Sequence, residues 1–239
     1  MASQPGLVYA ETFADIANWA ADFSSGTESK RFAGLPASGT GTIPSTTKLT
    51  TASANWASGR TGGKQKGNGA LLLLSTGTSD NTTSVAVDFC MDYSGVDAGT
   101  LGFDWATVNN PAGDRKSSLR VYASVDGATF AELAGAQVLN FQNGVAASGT
   151  VSGVALPASF NNCASARLRF YCHNGTGGTT GNRPKLGLDN LAATARAAGG
   201  NYLTVAITNP AAVNQEMDFA TSNIVLAGVV GATTTGQLG

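Results

Sequence analysis

One stretch decides the fold: LGFDWATVNNPAGDRKSSLRVYASVDGATF, which runs from Leu101 to Phe130. It holds two runs of alternating apolar residues, namely Leu101, Phe103 and Trp105, then Leu119, Val121, Ala123 and Val125. Because successive side chains of a strand point to opposite faces, each run predicts a strand with one buried face. Turn-forming residues at 109–114 separate the runs, and Asp126-Gly127 favours a tight hairpin. The stretch therefore predicts the middle of an antiparallel β-sandwich.

Strand patterns recur along the rest of the chain. These segments are residues 6–13, 70–74, 84–90, 131–138, 145–154, 166–173 and 185–194. The inward side chains are predicted to be Val85, Val87 and Phe89 in one segment and Leu168, Phe170 and Cys172 in another. Residues 70–74 are continuously apolar, which favours burial on both faces. Eight or more short strands with turns between them are typical of a sandwich or jelly roll.

Two segments near the start of the chain lack strand patterns. Residues 15–21 favour one helical turn around Trp19. Residues 24–66 have the Gly, Ser, Thr and Pro clusters of a long loop. Loops of that length usually carry structure or function, so we expect this one to cover an edge of the sandwich.

Composition narrows the class of protein. Only 12% of the 239 residues are charged and the net charge is −1, whereas about 25% charge is usual in soluble domains. This balance is typical of secreted β proteins and gives no electrostatic reason to expect nucleic acid or an anionic membrane as a partner. No run approaches the roughly 20 apolar residues of a membrane helix, so we expect no membrane insertion. No signal-peptide pattern is visible at the start of the sequence. We favour the interpretation that a signal peptide was removed and replaced by a start codon. The alternative is that the chain is not exported by that route.

The composition changes again near the end of the chain. Residues 197–200 predict a linker after a sandwich at residues 6–196. Residues 201–239 hold two further strand patterns, at 202–207 and 222–229. Two strands cannot bury a core alone, so this extension docks on the sandwich, pairs with another chain, or begins a second domain that is cut short. We favour the third.

The chain has three cysteines, Cys90, Cys163 and Cys172, which match no metal-binding spacing. They allow one disulfide, with Cys163–Cys172 and Cys90–Cys172 as the two pairings to consider. The alternative is three small buried hydrophobic side chains.

Three segments resemble a known class of domain. SLRVYASVDGATFAEL at 118–133 resembles the strand–turn–strand of bacterial secreted jelly-roll domains, and KLGLDNLAAT at 185–194 resembles their last strand. With LVYAETF at 7–13, the pattern is similar to concanavalin-like and galactose-binding-like sandwiches. The resemblance implies a carbohydrate-binding module or an accessory domain of a large surface protein, at an extracellular or cell-surface location. Residues 201–239 resemble the first strands of bacterial immunoglobulin-like repeats.

The same resemblance implies a structural calcium ion between the first and last strands. Calcium takes several oxygen ligands, and the carboxylates in matching positions are Glu11 and Asp189. The alternative is that Asp189 only makes hydrogen bonds at the end of its strand.

The residues that alternate with the core residues predict an outward face that binds sugar. Aromatic rings suit the C–H faces of sugars, and planar charged groups suit hydroxyl or carboxylate groups. The candidates are Asp88, Asp104, Arg120, Tyr122, Arg167, Arg169, Tyr171 and His173. Trp56 is a further candidate ligand-facing aromatic, or else a plug that pins its loop to the core. The alternative for the whole face is a solvated sheet with cross-strand ion pairs.

The sequence contains few motifs that indicate a catalytic site. His173 is the only histidine, and no Gly-x-Ser-x-Gly motif accompanies it. Glycosidase chemistry needs two carboxylates, and we expect only Asp88 and Asp104 to share an outward face. No Gly-rich loop opens a helix, as nucleotide binding requires.

The sequence therefore predicts an all-β, antiparallel jelly-roll β-sandwich with a short C-terminal β extension. Our leading hypothesis is a non-catalytic extracellular binding or adhesion module that takes polysaccharide or a surface glycan and belongs to a larger secreted or cell-surface protein. A second hypothesis is a structural subunit of an extracellular filament, surface layer or virion, in which residues 201–239 add strands to another copy. A third is a jelly-roll glycosidase or lyase.

Overall fold

The computed structural model describes residues 8–19, 32–38, 54–55, 62–81, 84–108 and 113–198. Within these ranges the regular structure consists of strands and two short 3-10 turns. The strands are β1 Val8–Glu11, β2 Phe32–Ser38, β3 Ala54–Asn55, β4 Gly63–Lys66, β5 Leu71–Leu74, β6 Ser84–Met91, β7 Val96–Val108, β8 Lys116–Ser124, β9 Ala131–Glu132, β10 Val138–Gln142, β11 Ser148–Ala155, β12 Ala166–Asn174 and β13 Lys185–Ala197. The predicted all-β, antiparallel jelly-roll sandwich is confirmed.

The first sheet is organised around the long strand β13. Its strand order is β11–β7–β13–β5–β4–β3. One edge of β13 pairs with β7, and the other pairs with β5 through Leu186–Leu188 and with β1 through Leu191–Thr194. Every pairing in this sheet is antiparallel except the two-residue contact of β3 with β4. The first and last strands of the described sandwich are therefore neighbours.

The second sheet has β12 at its centre. Its strand order is β10–β8–β12–β6–β2, and the short strand β9 pairs with β8 beside β10. A hairpin is present at Asp126-Gly127, because β8 and β9 pair antiparallel across it, but its connection spans residues 125–130 and is longer than the tight turn predicted. The same hairpin places Glu132 opposite Tyr122.

The core lies between the two sheets and matches the predicted alternation. The predicted inward residues that are buried are Leu101, Phe103, Leu119, Val121, Ala123, Val85, Val87, Phe89, Leu168, Phe170 and Cys172. Trp105 is only partly buried, and Val125 is 38% exposed where β8 ends. Residues Leu71–Leu74 of β5 are all buried, as the continuous apolar run predicted.

Some predicted elements differ from the structure. Residues 24–66, expected to be loop, contain β2, β3 and β4. The segment 131–138 is not one strand but contains β9 and the first residue of β10, because the backbone turns between them where the N–H of Ala136 donates to the carbonyl of Leu133. The helical turn predicted at 15–21 is a 3-10 turn at Ile16–Asn18, followed by the buried Trp19. Residues 199–239 lie outside the described residues, so the linker and the extension stay predictions.

The three cysteines are unpaired in the structure, so neither disulfide forms. Cys172 points into the core, where burial raises the pKa of its thiol to about 12. Cys90 lies opposite Arg167 in the second sheet, where burial also raises the pKa of the thiol. These positions fit the reading of cysteines as small hydrophobic side chains.

None of the helices in the described ranges is long and apolar enough to span a membrane.

Candidate functional site

The outer face of the second sheet gathers most of the predicted binding residues on adjacent strands. We call it the polar face and define it by Asp88, Arg120, Tyr122, Glu132, Arg167, Arg169, Tyr171 and His173. One row crosses four strands, with Glu132, Tyr122, Arg169 and Asp88 opposite one another in turn. In the next row Arg120 lies opposite Tyr171. The alternation of β8 and β12 thus brings Arg120, Tyr122, Arg169, Tyr171 and His173 together as predicted.

A buried ion pair forms the floor of the polar face. Arg169 donates to Asp88 twice, from Nε to Oδ1 at 2.7 Å and from Nη2 to Oδ2 at 3.1 Å. The ring of Phe130 lies over the guanidinium carbon of Arg169, 3.9 Å away at the ring centroid. Such a bidentate pair with an aromatic cover has a fixed geometry. Arg167 reaches the same carboxylate more loosely, with Nη1 3.3 Å from Oδ2.

An aromatic pair and a second ion pair lie towards the edge of the face. The rings of Tyr122 and Tyr171 meet edge to face, with centroids 6.1 Å apart. Arg120 donates from Nη1 to Oε1 of Glu132 at 2.7 Å. Burial is the main reason that the pKa of the Tyr122 hydroxyl is raised, and the charge of Glu132 adds to the effect. Tyr122 therefore stays protonated and able to donate a hydrogen bond.

His173 is held in one orientation by its own backbone. Its Nδ1 lies 2.8 Å from the carbonyl oxygen of Asn174, which can only accept, so Nδ1 carries the hydrogen. Its Nε2 is buried and has no hydrogen-bond partner in the part of the chain that the structure describes. Burial lowers the pKa of the imidazole, although the bond to Asn174 acts in the opposite direction. His173 is therefore neutral at pH 7, with Nε2 as an acceptor.

Exposure divides the polar face into two parts, a buried floor and a more exposed rim. The floor consists of Asp88, Arg169, Tyr171 and His173. Arg169 and Tyr171 are 1% exposed, and His173 is 4% exposed. By contrast, about a third of the side chains of Arg120, Glu132 and Arg167 is exposed, at 32%, 34% and 34%. The floor is therefore buried rather than open or solvated, although it contains the kind of cross-strand ion pair that the alternative predicted, between Arg169 and Asp88. We call the half-exposed residues Arg120, Tyr122, Glu132 and Arg167 the rim.

Asp104 does not belong to the polar face. It lies on β7 of the first sheet, whereas Asp88 lies on β6 of the second. Asp104 accepts hydrogen bonds from Thr150 at 2.6 Å and from Asn190 at 2.8 Å. Both bonds lower the pKa of the Asp104 carboxyl, and the bond from Thr150 has the larger effect. The expectation that Asp88 and Asp104 share a face is wrong, because alternation separates inward from outward residues but does not say which sheet a strand joins.

The structure places the two carboxylates of the expected calcium site, Glu11 and Asp189, at different positions relative to the first sheet. Glu11 pairs with the buried Leu191, and its Oε1 accepts from the N–H of Phe13 at 2.5 Å. Asp189 lies opposite Asp104 on the outward side of β13. A register shift at Asn190 reverses the alternation between these positions. The two carboxylates therefore face opposite sides of the sheet, and the described residues contain no cluster of three or more metal-ligating side chains. A calcium ion between the first and last strands stays a prediction.

Trp56, the other predicted site residue, lies outside the described residues, so its role stays a prediction.

Arg183 anchors the loops at one end of the sandwich, a role that the sequence did not reveal. Its side chain is buried and pairs with Asp80 at 3.2 Å. It also donates to backbone carbonyls of Gly77, Thr78, Ser79, Lys116 and Gly175. Burial lowers its pKa, against the influence of Asp80. A cavity of about 110 Å³ lies beside it, lined by 74–78 and 181–183. Because all three guanidinium nitrogens donate within the chain, Arg183 is a structural anchor.

No protein-family model and no curated protein matches the chain. Among solved structures it is similar to the K1 cleaved adhesin domain of Lys-gingipain from Porphyromonas gingivalis W83, at 16% identity and a TM-score of 0.38 over 79% of this chain and 98% of that one. It is also similar to CBM27-1 from Caldicellulosiruptor saccharolyticus, solved with mannohexaose, at 15% identity and a TM-score of 0.36 over 52% of this chain and 73% of that one.

Proposed function

We propose that this chain is a non-catalytic binding module that takes carbohydrate on the polar face of its second sheet. The observation that supports this most directly is the rim, where Tyr122 lies in the row between those of Arg120 and Arg167 and has Glu132 and the fixed Arg169 on its two sides. We further propose an extracellular setting, with a polysaccharide or surface glycan as the partner.

The rim offers the two kinds of contact that sugars need. The half-exposed ring of Tyr122 suits the C–H face of a sugar. Arg120 and Glu132 supply planar donors and acceptors for hydroxyl groups. The ring of Tyr171 packs edge to face on the ring of Tyr122, and Glu132 fixes Arg120, so little side-chain freedom is lost on binding.

The carboxylates of the polar face are poorly placed for glycosidase chemistry. Glu132 and Asp88 are three strand spacings apart along one row, which is about 14 Å at the usual strand separation. Glycosidases need their two carboxyl groups within about 10 Å. Asp88 is also held by Arg169, so it is not available as an acid or base. The positions of Glu132 and Asp88 therefore support carbohydrate binding rather than glycosidase activity.

The hypothesis of a strand-adding structural subunit depends on residues 201–239, which lie outside the described residues. No observation in the described part favours it over binding.

Titration calorimetry against a panel of neutral and acidic polysaccharides tests the proposal. Tyr122→Ala should weaken binding at least tenfold, because it removes the stacking ring. Asp104→Asn, on the outward side of the first sheet, is the matched control and should bind as the parent chain does. The proposal fails if no polysaccharide binds, or if Tyr122→Ala, folded by circular dichroism, binds unchanged.

A further inference from the structure

Arg167 is the least satisfied charged residue of the polar face. Its single ion contact is the 3.3 Å one to Asp88, whose carboxylate is already bound twice by Arg169. Its Nε is buried and has no acceptor in the part of the chain that the structure describes. A third of the side chain remains exposed. Arg167 is therefore a cation whose hydrogen-bonding capacity is largely unused and which a ligand can reach.

The Asp126-Gly127 turn holds the guanidinium of Arg167 in place. A methyl group on Gly127 would lie 2.8 to 3.2 Å from Nη1, Cζ and Nη2 of Arg167, so the guanidinium packs directly on this glycine. Asp126 makes the turn rigid, because its Oδ1 accepts from Ser124, Ala128 and Thr129 at 2.7 to 2.9 Å. These bonds hold the pKa of Asp126 well below its usual range. The turn therefore presents Arg167 in a fixed position.

The charges of the polar face do not cancel within the described residues. Arg120 is matched by Glu132, and Arg169 is matched by Asp88. Arg167 is the third arginine on this face, and the second sheet offers it only a share of Asp88. A partly exposed guanidinium without its own counter-ion favours an anionic group of the ligand over a neutral hydroxyl.

We infer that the polar face binds an acidic polysaccharide, with Arg167 contacting the carboxylate or sulfate of the ligand while Tyr122 stacks on a sugar ring. This inference rests on the proposed function and names its ligand class. Arg120 and Glu132 neutralise each other, so they are left to bind hydroxyl groups rather than the anion.

Binding to matched polymers tests the inference. Polygalacturonate should bind at least tenfold more tightly than its fully methyl-esterified form, and dextran sulfate against dextran shows whether sulfate serves as well as carboxylate. Arg167→Gln should remove most of this preference, while Arg196→Gln, which deletes an exposed arginine of the first sheet, should keep it. The preference should also shrink as NaCl is raised from 50 to 500 mM, because exposed charges are screened.

A second variant separates position from charge. Gly127→Ala keeps Arg167 but displaces its guanidinium, and should reduce the preference for the acidic polymer while leaving the net charge unchanged. If neutral and acidic polymers bind equally, or if Arg167→Gln keeps the full preference, the inference is wrong although the proposed function stands. If no polymer of either kind binds, the proposed function fails and the inference fails with it.

Discussion

Strand β12 buries both of its faces, but by opposite means. Its inner face carries Leu168, Phe170 and Cys172, which pack between the sheets. Its outer face carries Arg169, Tyr171 and His173, which are equally buried but polar. Apolar burial stabilises at about 25 cal/mol per Å², whereas burying a charge costs several kcal/mol that its partner must offset.

The difference indicates what each face contributes. The inner face supplies stability and would be satisfied by many apolar sequences of similar volume. The outer face gains little net stability from its ion pair, since apolar residues of the same size would serve as well or better. What the outer face gains is a rigid polar layer that contacts two rim residues, Arg167 through Asp88 and Tyr122 through Tyr171, while only the rim is open to a ligand.

The largest expected effect comes from breaking the inner face. Phe170→Ala removes a ring that packs edge to face on Phe103 at 5.5 Å, and should lower the free energy of unfolding by about 3 to 5 kcal/mol in urea titrations. Leu139→Ala, at a 48% exposed apolar position, is the control and should change it by less than about 0.5 kcal/mol. A loss below about 1 kcal/mol for Phe170→Ala would contradict this account of the core.

Breaking the ion pair of the outer face should lower the free energy of unfolding slightly less than breaking the inner face. Removing both charges should then restore part of the loss. Asp88→Asn leaves the buried Arg169 without its carboxylate and should lower the free energy of unfolding by about 3 kcal/mol. The double variant Asp88→Leu with Arg169→Met should lose less than the single one, because both charges are gone. Glu132→Gln, in the exposed pair with Arg120, should lose less than about 1 kcal/mol. A double variant worse than the single one would show that the pair itself stabilises the fold.

The smallest expected effect concerns His173 and pH. Its folded-state pKa is lowered below 6.5 by burial, so its contribution to stability is fully present above pH 6.5 and is lost as the pH falls through the folded-state pKa. Because the chain has one histidine, ¹⁵N NMR of the imidazole measures this pKa directly and reports the tautomer. A midpoint at or above 6.5, or a hydrogen on Nε2, would contradict the buried, Asn174-bonded geometry.

The buried residues of the inner face could be predicted from the sequence because strand side chains alternate between the two faces of a sheet, with a period of two residues. That period alone identified the buried residues of β6, β8 and β12. It failed where the period breaks, as at Asn190, where a register shift puts Glu11 and Asp189 on opposite sides of the sheet. Alternation also could not predict which sheet a strand joins, because that depends on strand pairing. Asp104 points outward as expected, but from the other sheet.

The candidate site was predicted in part. Alternation placed Arg120, Tyr122, Arg169, Tyr171 and His173 on one face, and their register confirms it. The burial of its floor could not be predicted, because alternation gives no sign of what covers an outward face. The role of Arg183 was equally hidden, since its partners are backbone carbonyls from distant loops rather than side chains with a recognisable spacing.

The pairing of β1 with β13 has a consequence for synthesis. Within the described residues β1 pairs with β13 alone, Val8 lying opposite Thr194, so β1 has no strand partner there until nearly the whole domain has been translated. At about 5 to 20 residues per second this interval is on the order of ten seconds or more. The first sheet therefore cannot be completed until β13 has been made, although β6, β8 and β12 of the second sheet can pair earlier.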